Sequence, residues 1–307
     1  MRIAVMAAGA VGGYFGARLA AAGHDVHFIA RGAQLEAIRK NGLKIVSTLG
    51  NLHLKSVNVT DDPARVGAVD AVLFAVKLWD TEKAAAQARP LVGRETRLIT
   101  LQNGVDSVER LAPILGQDNV MGGIAYIATV IAAPAVISHT SPFARLRCGR
   151  IDGRADETLA RFVKAAQEAG IDIGQSREIN IDRWKKFVFL SALAGATAST
   201  RQPLDAILAD RDMRALLLNL MAEVVAVARA KSVELPANFF DEQVKFAESA
   251  QPGFKASMAH DLERGNRLEL DWLTGTVAKL GCELNVPTPT SEVVYAVLKP
   301  YRMGRQN

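Results

Sequence analysis

Short apolar runs alternate with stretches of helical periodicity through the first half of the chain. Ile3 to Met6 is followed by a helical pattern from Ala10, and Val26 to Ile29 by another over Ala33 to Lys40. The series continues with Ala71 to Val76 and a helix near Thr81 to Ala88, then Leu98 to Leu101 and a helix over Ser107 to Leu115. Apolar runs without polar alternation are strands covered on both faces, so the pattern predicts a parallel sheet flanked by helices. Leu43 to Val59 reads as a pair of strands around Gly50-Asn51. Asn119 to Cys148 reads as strands broken by Pro134 and Pro142, ending the sheet in an antiparallel extension.

Beyond about Asn180 the period lengthens and strand-like runs become scarce. Helices are predicted over Arg183 to Thr200, Asp210 to Lys231 and Asn238 to Ser249, followed by a pair broken at Gly265 and a last helix over Thr290 to Tyr301. The fold class is therefore α/β: a doubly wound sheet domain over residues 1–176 and an all-helical domain over residues 177–307. No internal repeat is visible.

Composition narrows the picture. The chain of 307 residues is long enough for two cores, and its 22% charged and 49% hydrophobic residues exclude extended disorder. Cys148 and Cys282 stand far apart without metal-ligand neighbours, which predicts no disulfide, no metal and a reducing, cytoplasmic setting. The net charge of +5 comes from scattered Lys and Arg with no basic run, which argues against a nucleic-acid partner and leaves anionic small molecules. Ile3 to Ala22 is apolar, but Gly9, Gly12, Gly13, Gly16 and Arg18 make it a poor leader and a poor membrane span. His24, His27, His53, His139 and His260 have no ligand spacing and read as structural or surface residues, whereas Trp184 and Trp272 read as core.

The first strand runs through Ala7-Ala8-Gly9-Ala10-Val11-Gly12-Gly13 directly into a helix. A glycine-rich turn in that context presents backbone N–H groups to a pyrophosphate, as in Rossmann dinucleotide sites. Ala7 occupies the position of the usual first glycine, which alanine tolerates if its φ stays negative. A site for NAD would carry an acid after the second strand, where this chain has Arg31. A guanidinium there suits a 2′-phosphate, so NADPH is expected; a solvated arginine at a helix start is the alternative. Lys77 and Asn103-Gly104 follow two other strands, at the edge where ligands of open α/β sheets bind. Each alone also fits a surface lysine or a plain turn.

Reducing a ketone requires a proton donor. On the helix from Arg183, Trp184, Phe187, Val188, Ser191, Ala192 and Gly195 form one face, read as core. Lys186 lies off it, on a strip with Leu190 and Ala194. A lysine there either snorkels to water or is desolvated in a cleft, and spacing alone favours snorkelling.

Five motifs in order resemble the ketopantoate reductases (2-dehydropantoate 2-reductases): A-A-G-A-V-G-G with Arg31, A-V-K ending at Lys77, Q-N-G at 102–104, W-K-K-F at 184–187, and S-M-A-H-D from Ser257 through E-L-D at 269–271. The resemblance covers nearly the whole chain. It implies a Rossmann domain joined to a helical domain like that of 6-phosphogluconate dehydrogenase, reducing 2-dehydropantoate to pantoate with NADPH. It implies Lys186 as proton donor, with Glu269 closing the cofactor and catalytic region. Ala7, Ala8, Gly9, Ala10, Val11, Gly12, Arg31, Lys77, Asn103, Ala128 and Glu269 are the implied contacts to NADPH or NADP⁺. Lys186, Asn103 and Ser257 are the implied substrate contacts, along with the positions of Leu190 and Ala194.

Leu190 and Ala194 stand where the family typically has asparagines, and Leu204 and Phe254 align with frequently polar positions. A pocket without those amides discriminates poorly in favour of a hydroxylated substrate. A bulkier, less polar 2-oxo acid is therefore a competing expectation, with Thr197, Ser199, Thr200 and Arg201 as replacement donors. A protein that binds NADPH without chemistry is a second. For Ser257 and Glu269, a helix N-cap and a partner for Arg267 or Arg264 are the structural alternatives. A homodimer stays open.

Overall fold

The computed structural model describes residues 1–305. Its contacts divide the chain into two compact units. One comprises Met1–Gln102 with Asp106–Ile179, and the other comprises Asn103–Val105 with the chain from Asn180 onward.

The first unit contains strands β1 (Arg2–Met6), β2 (Asp25–Ile29), β3 (Leu43–Ser47), β4 (Leu52–Leu54), β5 (Asn58–Thr60), β6 (Ala71–Phe74), β7 (Arg97–Thr100), β8 (Val120–Tyr126), β9 (Thr129–Ala133), β10 (Val136–His139), β11 (Arg145–Gly149) and β12 (Asp172–Gln175). Its helices are α1 (Ala10–Ala21), α2 (Gly32–Asn41), α3 (Thr81–Ala88), α4 (Ser107–Leu115) and α5 (Glu157–Glu168). The main sheet has the order β12-β11-β8-β7-β6-β1-β2-β5. From β5 to β8 every pairing is parallel, which gives the doubly wound arrangement of a Rossmann fold. Strand order reverses at β1, flanked by β2 and β6, so ligands of such a sheet bind beyond the carboxyl ends of these strands.

Burial in β1 explains its unbroken apolar run. Ile3 and Val5 join a core with Phe15 of α1 and Phe28, whereas Ala4 and Met6 join a second core with Ala84 and Ala85 of α3 and Leu111 of α4. Both faces are covered, so neither can carry polar residues.

Two expectations about the strands are corrected. The segment after α2 holds three strands rather than two: β3 and β4 form the hairpin, and β5 joins the main sheet beside β2. The strands after α4 do not all extend the main sheet. β8 and β11 pair antiparallel within it, whereas β9 and β10 leave to form a second sheet, β4-β3-β10-β9, packed on α1. The pairing that builds this sheet is parallel β10 on β3, between segments far apart in sequence.

The second unit consists of α6 (Ile179–Thr200, which starts at the last residue of the first unit), α7 (Leu204–Ala209), α8 (Arg211–Ala230), α9 (Phe239–Glu248), α10 (Ser257–Arg264), α11 (Thr274–Leu284) and α12 (Pro289–Leu298). α6 is the central rod. Every residue from Ser191 to Ala198 is buried, because a helix apolar all round must be surrounded by others. Phe187 and Val188 are fully enclosed in the helical core, each worth roughly 1.5–3 kcal/mol relative to exposure. The helix starts somewhat earlier than the expected Arg183, and α7 was not foreseen. Among the described residues no helix is long and apolar enough to cross a membrane.

Candidate functional site

At the carboxyl end of β1 the chain turns through Ala7 and Ala8 into α1. Gly9 is the N-cap of α1, no side chain caps that end, and its first turn holds no acidic residue. The N-terminal amides and the positive end of the helix dipole are thereby left for an anion. Ala7 is not among the positive-φ residues, so alanine in place of glycine meets no left-handed backbone penalty at this turn. A Cβ on Gly9 would meet nothing within 4 Å, whereas one on Gly12 would run into the Ala7 carbonyl and the Val5 side chain. Gly9 thus leaves room for a pyrophosphate and Gly12 lets α1 lie close on β1, so this turn fits a dinucleotide.

Arg31 follows β2 and is the N-cap of α2. Its guanidinium is exposed, and Nη2 donates to Asp80 Oδ2 at 3.2 Å. Asp80 ends a short turn, Leu78–Asp80, that Lys77 opens after β6. Lys77 is exposed, with Nζ 5.5 Å from the Trp79 ring centroid. Buried Gln102, after β7, braces this region: its Nε2 donates to Val76 O at 3.1 Å and to Thr81 Oγ1 at 2.8 Å. Ala128, exposed between β8 and β9, donates its N–H to Ser141 Oγ and accepts from Thr140 N, each at 3.0 Å. Gln102 was noted from the sequence only as part of the Q-N-G motif, and Asp80 was not singled out, since no spacing announces a partner so distant along the chain.

The next residue after Gln102 belongs to the helical unit. Asn103 precedes Gly104, whose φ of +92° favours glycine. Its Oδ1 accepts from Lys186 Nζ at 3.0 Å. Beside it, buried Arg183 donates Nη2 to Val105 O at 2.7 Å, tying this three-residue segment to α6. Lys186 is half-buried, and burial pushes its ammonium down to about 8, the Glu269 carboxylate acting in the opposite sense. Glu269 is 7% exposed and opens a short turn, Leu270–Trp272, with its carbonyl accepting from Trp272 N and Leu273 N. The snorkelling favoured by spacing is therefore corrected. The amine is held by an amide oxygen and desolvated, in a form acidic enough to give up a proton near neutral pH.

Other candidates divide. Ser257 is exposed and is the first residue of α10 rather than its N-cap, which is Ala256. Leu190 is half-buried, whereas Ala194 is fully buried. Leu204 is buried and donates its N–H to the carbonyl of Phe254, whose ring is exposed. The replacement donors differ in what already occupies them. Thr197, Ser199 and Thr200 donate their hydroxyls at 2.7 Å to Leu193, Gly195 and Ala196 carbonyls of their own helix, and exposed Arg201 lies over Tyr301. Trp184 is buried, but Trp272 is only half-buried. Among the described residues no group of three His, Cys, Asp or Glu could hold a metal.

The chain matches the family model of ketopantoate reductase PanE/ApbA over residues 3–153 and that of ketopantoate reductase PanE/ApbA, C terminal, over residues 178–302. It is 32% identical to the 2-dehydropantoate 2-reductase of Mesorhizobium japonicum, covering 99% of both chains. Two crystal structures superpose on it with TM-scores of 0.90. One is a PanE/ApbA family ketopantoate reductase from Ralstonia eutropha JMP134, at 32% identity with 98% of each chain covered. The other is 2-dehydropantoate 2-reductase from Geobacter metallireducens GS-15, at 31% identity with 98% of this chain and 99% of that one covered. With both halves matched in order and at full length, the chain belongs to the ketopantoate reductase family, oxidoreductases that act on CH–OH groups and use NADPH.

Proposed function

We propose that this protein reduces a 2-oxo acid to the corresponding 2-hydroxy acid, with Arg31 selecting NADPH and Lys186 delivering the proton. 2-Dehydropantoate, the substrate named for its relatives, is the first to assay. The observation that carries the reading is the half-buried Lys186 amine on Asn103, lowered to about 8. A nicotinamide held there would supply a hydride to the carbonyl carbon. The chain's own part is to protonate the alkoxide oxygen that results. Asn103 Oδ1 orients the ammonium, and Glu269 keeps enough positive character on it to hold a proton at neutral pH. Arg31 gives a 2′-phosphate a planar cation, and the uncapped α1 N-terminus receives a pyrophosphate.

The test is a panel of 2-oxo acids, including 2-dehydropantoate, pyruvate and branched-chain members, with oxidation of NADPH followed by absorbance. Turnover with at least one is expected. Tight NADPH binding without oxidation by any of them would instead support a nucleotide-binding protein without chemistry. For the cofactor, Arg31→Ala is expected to weaken NADPH by about ten- to a hundredfold, the worth of a charge-assisted contact, and NADH by little. Equal losses, measured by calorimetry, would remove Arg31 from 2′-phosphate recognition.

A further inference from the structure

We propose that Asp80 sets the cofactor preference of the nucleotide site, competing with a 2′-phosphate for Arg31 and offering a carboxylate to an unphosphorylated ribose. The inference rests on the reading of Arg31 given above. Sites that take the unphosphorylated dinucleotide carry their carboxylate directly after the second strand. Here that place holds Arg31, and the carboxylate arrives from the turn after β6.

β2 and β6 are the two neighbours of β1. The ion pair between Arg31 and Asp80 therefore joins the ends of the strands that flank the glycine turn. Asp80 is held by an anchored turn. Thr81 Oγ1 donates to Leu78 O at 2.9 Å, Arg110 Nη2 donates to the same carbonyl at 2.8 Å, and Gln102 fixes Thr81 from below. Arg110 is itself secured by Glu82, whose carboxyl is held below its usual range by the Arg110 hydrogen bond.

The guanidinium is 55% exposed and the carboxylate 34% exposed, so the pair is weak enough to be displaced. A 2′-phosphate that takes Arg31 must break this contact and sit near a like charge. A ribose with a free 2′-hydroxyl meets no such cost, and it finds in Asp80 the acceptor that the strand end lacks. Asp80 thereby lowers affinity for the phosphorylated cofactor and raises it for the other, narrowing the discrimination that Arg31 creates.

Calorimetric titration with 2′-phospho-ADP-ribose and with ADP-ribose reads this without any turnover. At low salt, Asp80→Asn is expected to tighten the phosphorylated ligand about two- to fivefold and to weaken ADP-ribose by a similar factor. The gain should shrink at high ionic strength, as expected for exposed charges. Arg31→Ala should move the ratio of the two affinities the opposite way. An unchanged ratio in Asp80→Asn, with Arg31→Ala still selective, overturns the role of Asp80 and leaves that of Arg31 intact. If Arg31→Ala is not selective, the 2′-phosphate reading fails and this inference falls with it.

Discussion

Replacing Lys186 with alanine is expected to lower kcat for 2-oxo acid reduction by about 10²–10⁴-fold, the usual contribution of a positioned general acid. NADPH affinity should stay within about threefold, because only the proton donor is removed. Arginine at this position should not rescue activity, since a guanidinium does not give up its proton. The same group fixes the pH profile. A proton donor works only while protonated, and burial has brought the Lys186 ammonium to about 8. Activity of the native protein should therefore hold through neutral pH and fall above about 8, by about tenfold per pH unit. An unshifted lysine would keep the profile flat to about pH 10. Because Glu269 acts to raise this group, Glu269→Gln should move the falling limb to lower pH. Turnover of Lys186→Ala close to native, or a limb that begins only near pH 10, would exclude this amine as the donor.

What could be read from the sequence depended on whether a cause was local. The alternation of apolar runs and helical periods announced the parallel sheet because strands covered on both faces have no polar residues to interrupt them. The glycine turn was equally legible, since Gly9 and Gly12 act on atoms close by. The second sheet was hidden, because β10 finds β3 only after the chain has crossed most of the first unit. Ser257 was one position out as a cap, because the extended residue that ends the loop is Ala256, with φ −68° and ψ 154°.

The environment of Lys186 was hidden for the same reason. A strip of Lys186, Leu190 and Ala194 describes one helix and says nothing about an amide that arrives from the turn after β7. Two adjacent residues show how far roles can diverge within a motif: Gln102 braces the turn that carries Asp80, whereas Asn103 receives the amine of α6. Nor did the pattern distinguish hydroxyls able to meet a ligand from hydroxyls bonded back to their own helix, as Thr197, Ser199 and Thr200 are.

The largest structural effect is expected at Glu223, a buried carboxylate on α8 that caps another helix. Its Oε1 accepts from Thr290 N at 2.7 Å, and its Oε2 accepts from Ser291 N at 2.8 Å and Ser291 Oγ at 2.6 Å. Thr290 and Ser291 are the second and third residues of α12, where backbone N–H groups have no partner within their own helix and the dipole is positive. Pro289, the first residue, has no N–H to satisfy. One side chain thus replaces the local cap and pins α12 to α8. Glu223→Leu would leave the buried Ser291 donors and the half-buried Thr290 N–H without this acceptor, and hydrogen bonds to charged groups are worth about 1.5–3 kcal/mol each, so a loss of about 3–5 kcal/mol is expected. Glu223→Gln keeps one acceptor oxygen and should lose about 1–2 kcal/mol. Urea unfolding followed by tryptophan fluorescence in a Trp79→Phe background, which leaves Trp184 and Trp272 of the helical unit, measures the loss. A leucine variant that unfolds within about 0.5 kcal/mol of the native protein, the scatter of ordinary surface substitutions, would mean that α12 is held by its apolar face alone.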